Sequence, residues 1–141
     1  MFQGTSITTA PQLPATTLAT NCYSAMFYGC PSLVNAPELP ATTLAEECYA
    51  GMFHDCPSLV NAPELPATTL ADGCYSEMFY GCTNLNYVKC LATDITANDC
   101  TYCWVSNVAE SGTFTKDTSM NDWDDGENGI PEGWIIEDAS A

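Results

Sequence analysis

Ala36-Pro37-Glu38-Leu39-Pro40-Ala41-Thr42-Thr43-Leu44-Ala45 is repeated from Ala62 without a change, and from Ala10 with Gln12 as the single difference. The period is 26 residues. A fixed period of this length marks units that bury their apolar faces against their neighbours, stacked as a solenoid. The copies therefore decide the fold, and the rest of the chain reads outward from them.

Aligned at that offset, apolar residues fall into columns. Leu18, Leu44 and Leu70 share one. Others are Cys22, Cys48 and Cys74; Tyr23, Tyr49 and Tyr75; Met26, Met52 and Met78; Phe27, Phe53 and Phe79; Cys30, Cys56 and Cys82; and Leu33, Leu59 and Leu85. Leu18, Cys22, Met26 and Cys30 are spaced four apart, with Tyr23 and Phe27 beside them, so they cover one half of a helical wheel. Thr17, Thr43 and Thr69 stand where N-caps belong, Thr43 and Glu46 have capping-box spacing, and Pro31 and Pro57 follow the apolar run as stops. The linking piece, residues 33–36, reads as a short parallel strand that ends where Pro37 and Pro63 withhold a donor. The expected unit is strand, turn, helix, turn.

These motifs carry a resemblance. The pattern Leu39-Pro-Ala-Thr-Thr-Leu44-Ala-x-x-Cys48-Tyr-x-x-Met52-Phe-x-x-Cys56-x-x-Leu59 resembles the BspA-like leucine-rich repeats of bacterial surface proteins over residues 1–105. The tail resembles a C-terminal cap of one branch of that family, through Gly112-Thr-Phe-Thr-Lys116, Trp123 and Gly129-Ile-Pro-Glu-Gly-Trp134. The resemblance implies an α/β fold: a right-handed leucine-rich-repeat solenoid of strand-turn-helix units with a small β cap over residues 106–141. It also implies no catalytic activity, no cofactor, and a surface-displayed or extracellular module that binds protein or glycan on a host or neighbouring cell. Similar arrays in phage tail proteins give the alternative, a structural spacer or tail-fibre segment that presents another domain.

The ends depart from the pattern. In the fourth unit Thr96 stands for the leucine, Thr101 for the tyrosine and Trp104-Val105 for Met-Phe, while Cys100 keeps the period. Met1-Phe2-Gln3-Gly4 matches the end of a unit, so the array is expected to begin inside a repeat and to expose an edge suited to self-association. No signal peptide is read at the N-terminus.

Charge excludes whole classes of partner. Eighteen acidic residues face two lysines and no arginine, for a net charge of −16. Phosphate neutralisation needs Lys and Arg, so nucleic acid is excluded, and anionic lipid with it. No apolar run has the length of a membrane span.

Seven of the nine cysteines lie in core columns, at separations too long for disulfides, and read as buried thiols. Cys100-x-x-Cys103 with Cys90 nearby leaves a disulfide open there; a fourth zinc ligand is not evident. No catalytic motif is found, and His54-Asp55 beside Cys56 reads as a surface pair, because Tyr-Gly takes that place in the flanking units. Asp122, Asp124 and Asp125 form a weak calcium candidate that misses EF-hand spacing, and no metal is expected. The units differ most on the convex helical face, which makes Thr20, Ser24, Tyr28, Glu46, Glu47, His54, Asp72, Glu77 and Tyr80 the candidate ligand site. Asn35, Pro37 and Glu38 recur unchanged as Asn61, Pro63 and Glu64.

Overall fold

The computed structural model describes residues 2–139. Its regular elements are three four-residue strands: β1 (Tyr87–Cys90), β2 (Thr113–Lys116) and β3 (Ile135–Asp138). They form one parallel sheet in the order β1-β2-β3, with Tyr87 opposite Thr113 and Thr113 opposite Ile135. No helix is present among the described residues. The expected strand-turn-helix solenoid is therefore wrong: residues 17–30 and their copies are not helical, and none of their threonines caps a helix. Thr17 and Thr43 are instead partners in a parallel bridge, as are Thr69 and Asp94. No helix is long and apolar enough to cross a membrane among these residues.

What replaces the helix is a chain of β-turns. Alternate N–H groups bond within the segment, three residues back, as in Cys22 to Ala19 and Ser24 to Asn21, both 3.2 Å. The intervening ones bond onward to the next copy, from Asn21 to the Glu46 carbonyl, Tyr23 to Cys48, Ala25 to Ala50 and Phe27 to Met52, at 2.8–3.0 Å. Every fourth residue has left-handed backbone: Asn21, Ala25 and Gly29 have φ of 57°, 53° and 67°. Glu47, Gly51 and Asp55 repeat this, as do Gly73, Glu77 and Gly81 and then Asp99, Cys103 and Asn107. A right-handed helix cannot contain such residues.

The successive copies thus lie side by side as coils, taken here as residues 8–30, 34–56, 60–82 and 86–107. Their side chains stack in the columns seen in the sequence. Phe2, Phe27, Phe53 and Phe79 stack nearly parallel with ring centroids 5.5–5.7 Å apart. Tyr23, Tyr49 and Tyr75 stack at 6.0 Å, and Trp104 continues that column at 5.8 Å over the gap left by the small Thr101. The thiols of Cys30, Cys56 and Cys82 donate to the carbonyls of Phe2, Phe27 and Phe53 at 2.9–3.0 Å. A small donor is thus used at each step of that column. All nine cysteines are free, including Cys90, Cys100 and Cys103. Cys22, expected in the core, is exposed, because it lies in the first coil and no neighbour covers it. In the fourth coil Ile95, not Thr96, takes the leucine position: the Leu70 N–H bonds to Asp94 where Leu18 bonds to Thr43, a shift of one residue.

The strand expected over residues 33–36 reduces to single bridges, Thr9 with Asn35 and Asn61 with Tyr87. Proline explains this. Coils one to three carry Pro at positions 11 and 14, 37 and 40, 63 and 66, whereas Tyr87-Val-Lys-Cys90 has none and becomes β1. β2 and β3 both lie within residues 106–141.

One pair of substitutions separates turn from helix by sign. Gly51 has φ +61° with open space where a Cβ would go. Gly51→Ala should destabilise by about 1–2 kcal/mol, the cost of left-handed backbone, whereas in a helix it would stabilise by about 1 kcal/mol. Ala25→Gly should stabilise. Urea denaturation of the two variants reads both signs.

A candidate groove between the second and third coils

On the turn side every neighbouring pair of coils is bonded throughout. On the strand side the second and third coils differ from the others. The Ala10 N–H bonds to Asn35, Leu18 to Thr43, Ala62 to Tyr87 and Leu70 to Asp94, at 3.0–3.2 Å. The equivalent donors Ala36 and Leu44 have no backbone partner, and no backbone hydrogen bond joins residues 33–44 to 59–70 among the described residues. Pro66 contributes, since it stands where Leu91 donates in the next coil.

A groove of about 710 Å³ opens at this seam, lined by residues 34–40 and by Asn61, Ala62, Pro63, Glu64 and Pro66. A smaller depression of about 430 Å³ lies between the first and second coils and shares Ala36, Pro37, Glu38 and Pro40 with it. Of the apolar residues along these two segments, Leu39 and Leu65 are buried, while Val34, in the lining, and Val60, next to Asn61, stay 50% and 38% exposed. Glu64 lies 3.5 Å from the Lys89 ammonium. Among the described residues Glu38 has no ion-pair partner within 4.0 Å. Apolar rings, carbonyls and two carboxylates therefore share one open surface.

The residues singled out in the sequence lie on the turn side, on turns and not on a helix. Tyr28, His54 and Tyr80 come together: their rings stack at 4.5 and 4.6 Å, within about 11° of parallel. His54 Nδ1 is 3.1 Å from Asp55 and Nε2 is 3.4 Å from Glu77. The two tyrosines cover both faces of the His54 ring. The others are used singly. Ser24 donates to the Ala50 carbonyl, Asp72 accepts from the Asn98 N–H, and the Glu47 side chain lies over Gly73. Thr20 and Glu46 are exposed. Of the nine, the structure brings Tyr28, His54, Glu77 and Tyr80 into contact.

The calcium candidate has a structural use. Asp122, Asp124 and Asp125 are exposed, and no cluster of three His, Cys, Asp or Glu side chains suited to a metal occurs among the described residues. Oxygens of this loop instead receive the outward donors of the fourth coil. Cys103 N–H bonds to the Asn128 side chain at 2.6 Å, Val105 N–H to the Glu127 carbonyl at 3.2 Å, and Trp104 Nε1 to the Gly129 carbonyl at 2.9 Å.

The groove residues are absent from the sequence-derived candidates because those followed variation between copies. The usable signal was identity: a 26-residue period that reproduces surface prolines and glutamate as faithfully as core leucines. No protein-family model matches the chain, and no match was found among curated proteins or solved structures.

Proposed function

We propose that this chain is a non-catalytic binding module, displayed at a bacterial cell surface, which engages a protein or glycan partner through its strand-side groove. The observation that carries the reading is the groove itself, an open, half-apolar surface built from two identical copies of one segment. Surface display rests on the sequence resemblance. A spacer needs only the stacked core, and leaves the open seam between otherwise bonded coils without a use.

The test is adhesion. Particles coated with the protein should adhere to a subset of immobilised proteins or polysaccharides. Val34→Glu, at the groove edge, should cut adhesion more than about tenfold by placing a charge against the apolar contact. Tyr28→Ala, on the turn side, should leave it within about twofold. Adhesion abolished by the second variant and not the first would move the site to the turn side. No adhesion to any surface would favour the spacer.

A further inference from the structure

We infer that the groove between the second and third coils takes an extended, basic segment of polypeptide; this rests on the binding-module reading above. Three features of the groove define that chemistry. The first is its backbone. Ala36 and Asn61 line it, and the N–H of one and the carbonyl of the other lack the partners that their counterparts have in the neighbouring coils. The Leu39 N–H and carbonyl also have no backbone partner, as at Leu13 in the first coil, whereas Leu65 both donates to Lys89 and accepts from Leu91 at 3.0 Å. Free donors and acceptors spaced along a strand-like backbone are matched by another polypeptide backbone, which adds by main-chain hydrogen bonds.

The second feature is charge. Glu38 and Glu64 carry the only charged side chains of the groove lining, and a single lysine lies near the second of them. A net charge of −16 surrounds them and draws in cations. A second copy of this chain, with the same charge, is repelled, and so is an anionic glycan.

The third is the wall. Pro37, Pro40, Pro63 and Pro66 present ring carbons and carbonyls but no N–H. A lysine fits such a wall, since its aliphatic stem packs on the rings and its ammonium, all donor and no acceptor, reaches the carboxylates.

The experiment is a titration of the ¹⁵N-labelled protein followed by amide resonances. The probes are an octapeptide of alternating lysine and threonine, its glutamate-threonine counterpart, and the neutral hexasaccharide maltohexaose. The basic peptide should shift amides in residues 34–40 and 60–66, slow exchange at the Ala36 and Leu39 amides, and weaken about tenfold as salt rises from about 50 mM to about 500 mM. The double variant Glu38→Gln, Glu64→Gln should weaken it about tenfold, and the control Glu46→Gln, Glu110→Gln by less than twofold. Shifts elsewhere, equal response to the acidic peptide, or no response to the basic one would overturn the inference. Maltohexaose perturbing the groove in place of the basic peptide would reject the ligand class and keep the binding module. No probe perturbing the groove, together with no adhesion, would remove both.

Discussion

Between pH 9 and pH 10.5 the protein should unfold cooperatively, and it should refold on return to neutral pH under reductant. Burial pushes the Cys48 thiol up to about 11 and those of Cys56 and Cys90 to about 12, from an ordinary 9.0. Burial drives Cys74 and Cys82 up as well. Below pH 9 folded and unfolded chains both keep these protons, so the stabilisation is complete. Above it only the unfolded chain releases them, and stability falls with rising pH until the folded thiols also ionise. Each fully shifted thiol removes about 1.4 kcal/mol per pH unit. Five together remove up to about 7 kcal/mol over one unit, against a total stability of about 5–15 kcal/mol for an ordinary domain. Tyr49 and Tyr75, raised by burial too, extend the loss above pH 10. Circular dichroism and tryptophan fluorescence against pH check this. Replacing Cys48 and Cys74 by alanine should move the midpoint upward, and a chain still folded at pH 11.5 would contradict the buried thiol columns.

Trp104→Ala should cost about 3–5 kcal/mol, the range for deleting a large buried aromatic side chain. Trp104 is fully buried, stacks on Tyr75 and on Trp123 at 5.8 and 5.6 Å, and meets Phe114 edge-on at 6.1 Å. Its N–H also satisfies the Gly129 carbonyl. One side chain therefore joins the last coil, the sheet and the terminal loop. Trp104→Phe should lose less, since it keeps a ring in the column. Tyr102→Ala, nearby but 49% exposed, should stay within about 0.5 kcal/mol. Urea midpoints for the three variants give the ranking, and equal losses at 102 and 104 would refute the keystone role.

The stacking columns were legible in the sequence because a 26-residue period leaves little freedom: Phe27, Phe53 and Phe79 had to meet. The local conformation was misread. Leu18, Cys22, Met26 and Cys30 recur every four residues, and a helix of 3.6 residues per turn lets such a row drift by about 40° per step. Spread over half a wheel, the row passes for an amphipathic face. The contrary signal sat between the apolar residues, where Asn21, Gly29, Gly51, Asp55, Gly73, Gly81, Asp99 and Asn107 mark the left-handed positions. These are the residue types that tolerate that backbone, and Ala25, Glu47, Glu77 and Cys103 blur the pattern. The groove was hidden for another reason. Prolines said that a strand would fail at Pro37 and Pro63, but nothing in two identical segments says that the coils carrying them part from each other and not from their outer neighbours.

The alternating bonds of the turn chains also give the stack an electrical direction. Within the turn chains, residues 21–29, 47–55 and 73–81, every inter-coil N–H points toward the later coil, so these peptide dipoles add along the stack as they do along a helix. The positive end is the face of the fourth coil, and there Asp124, Glu127 and the Asn128 side chain gather. The loop that mimics a cation site is placed where the main chain itself supplies the positive charge.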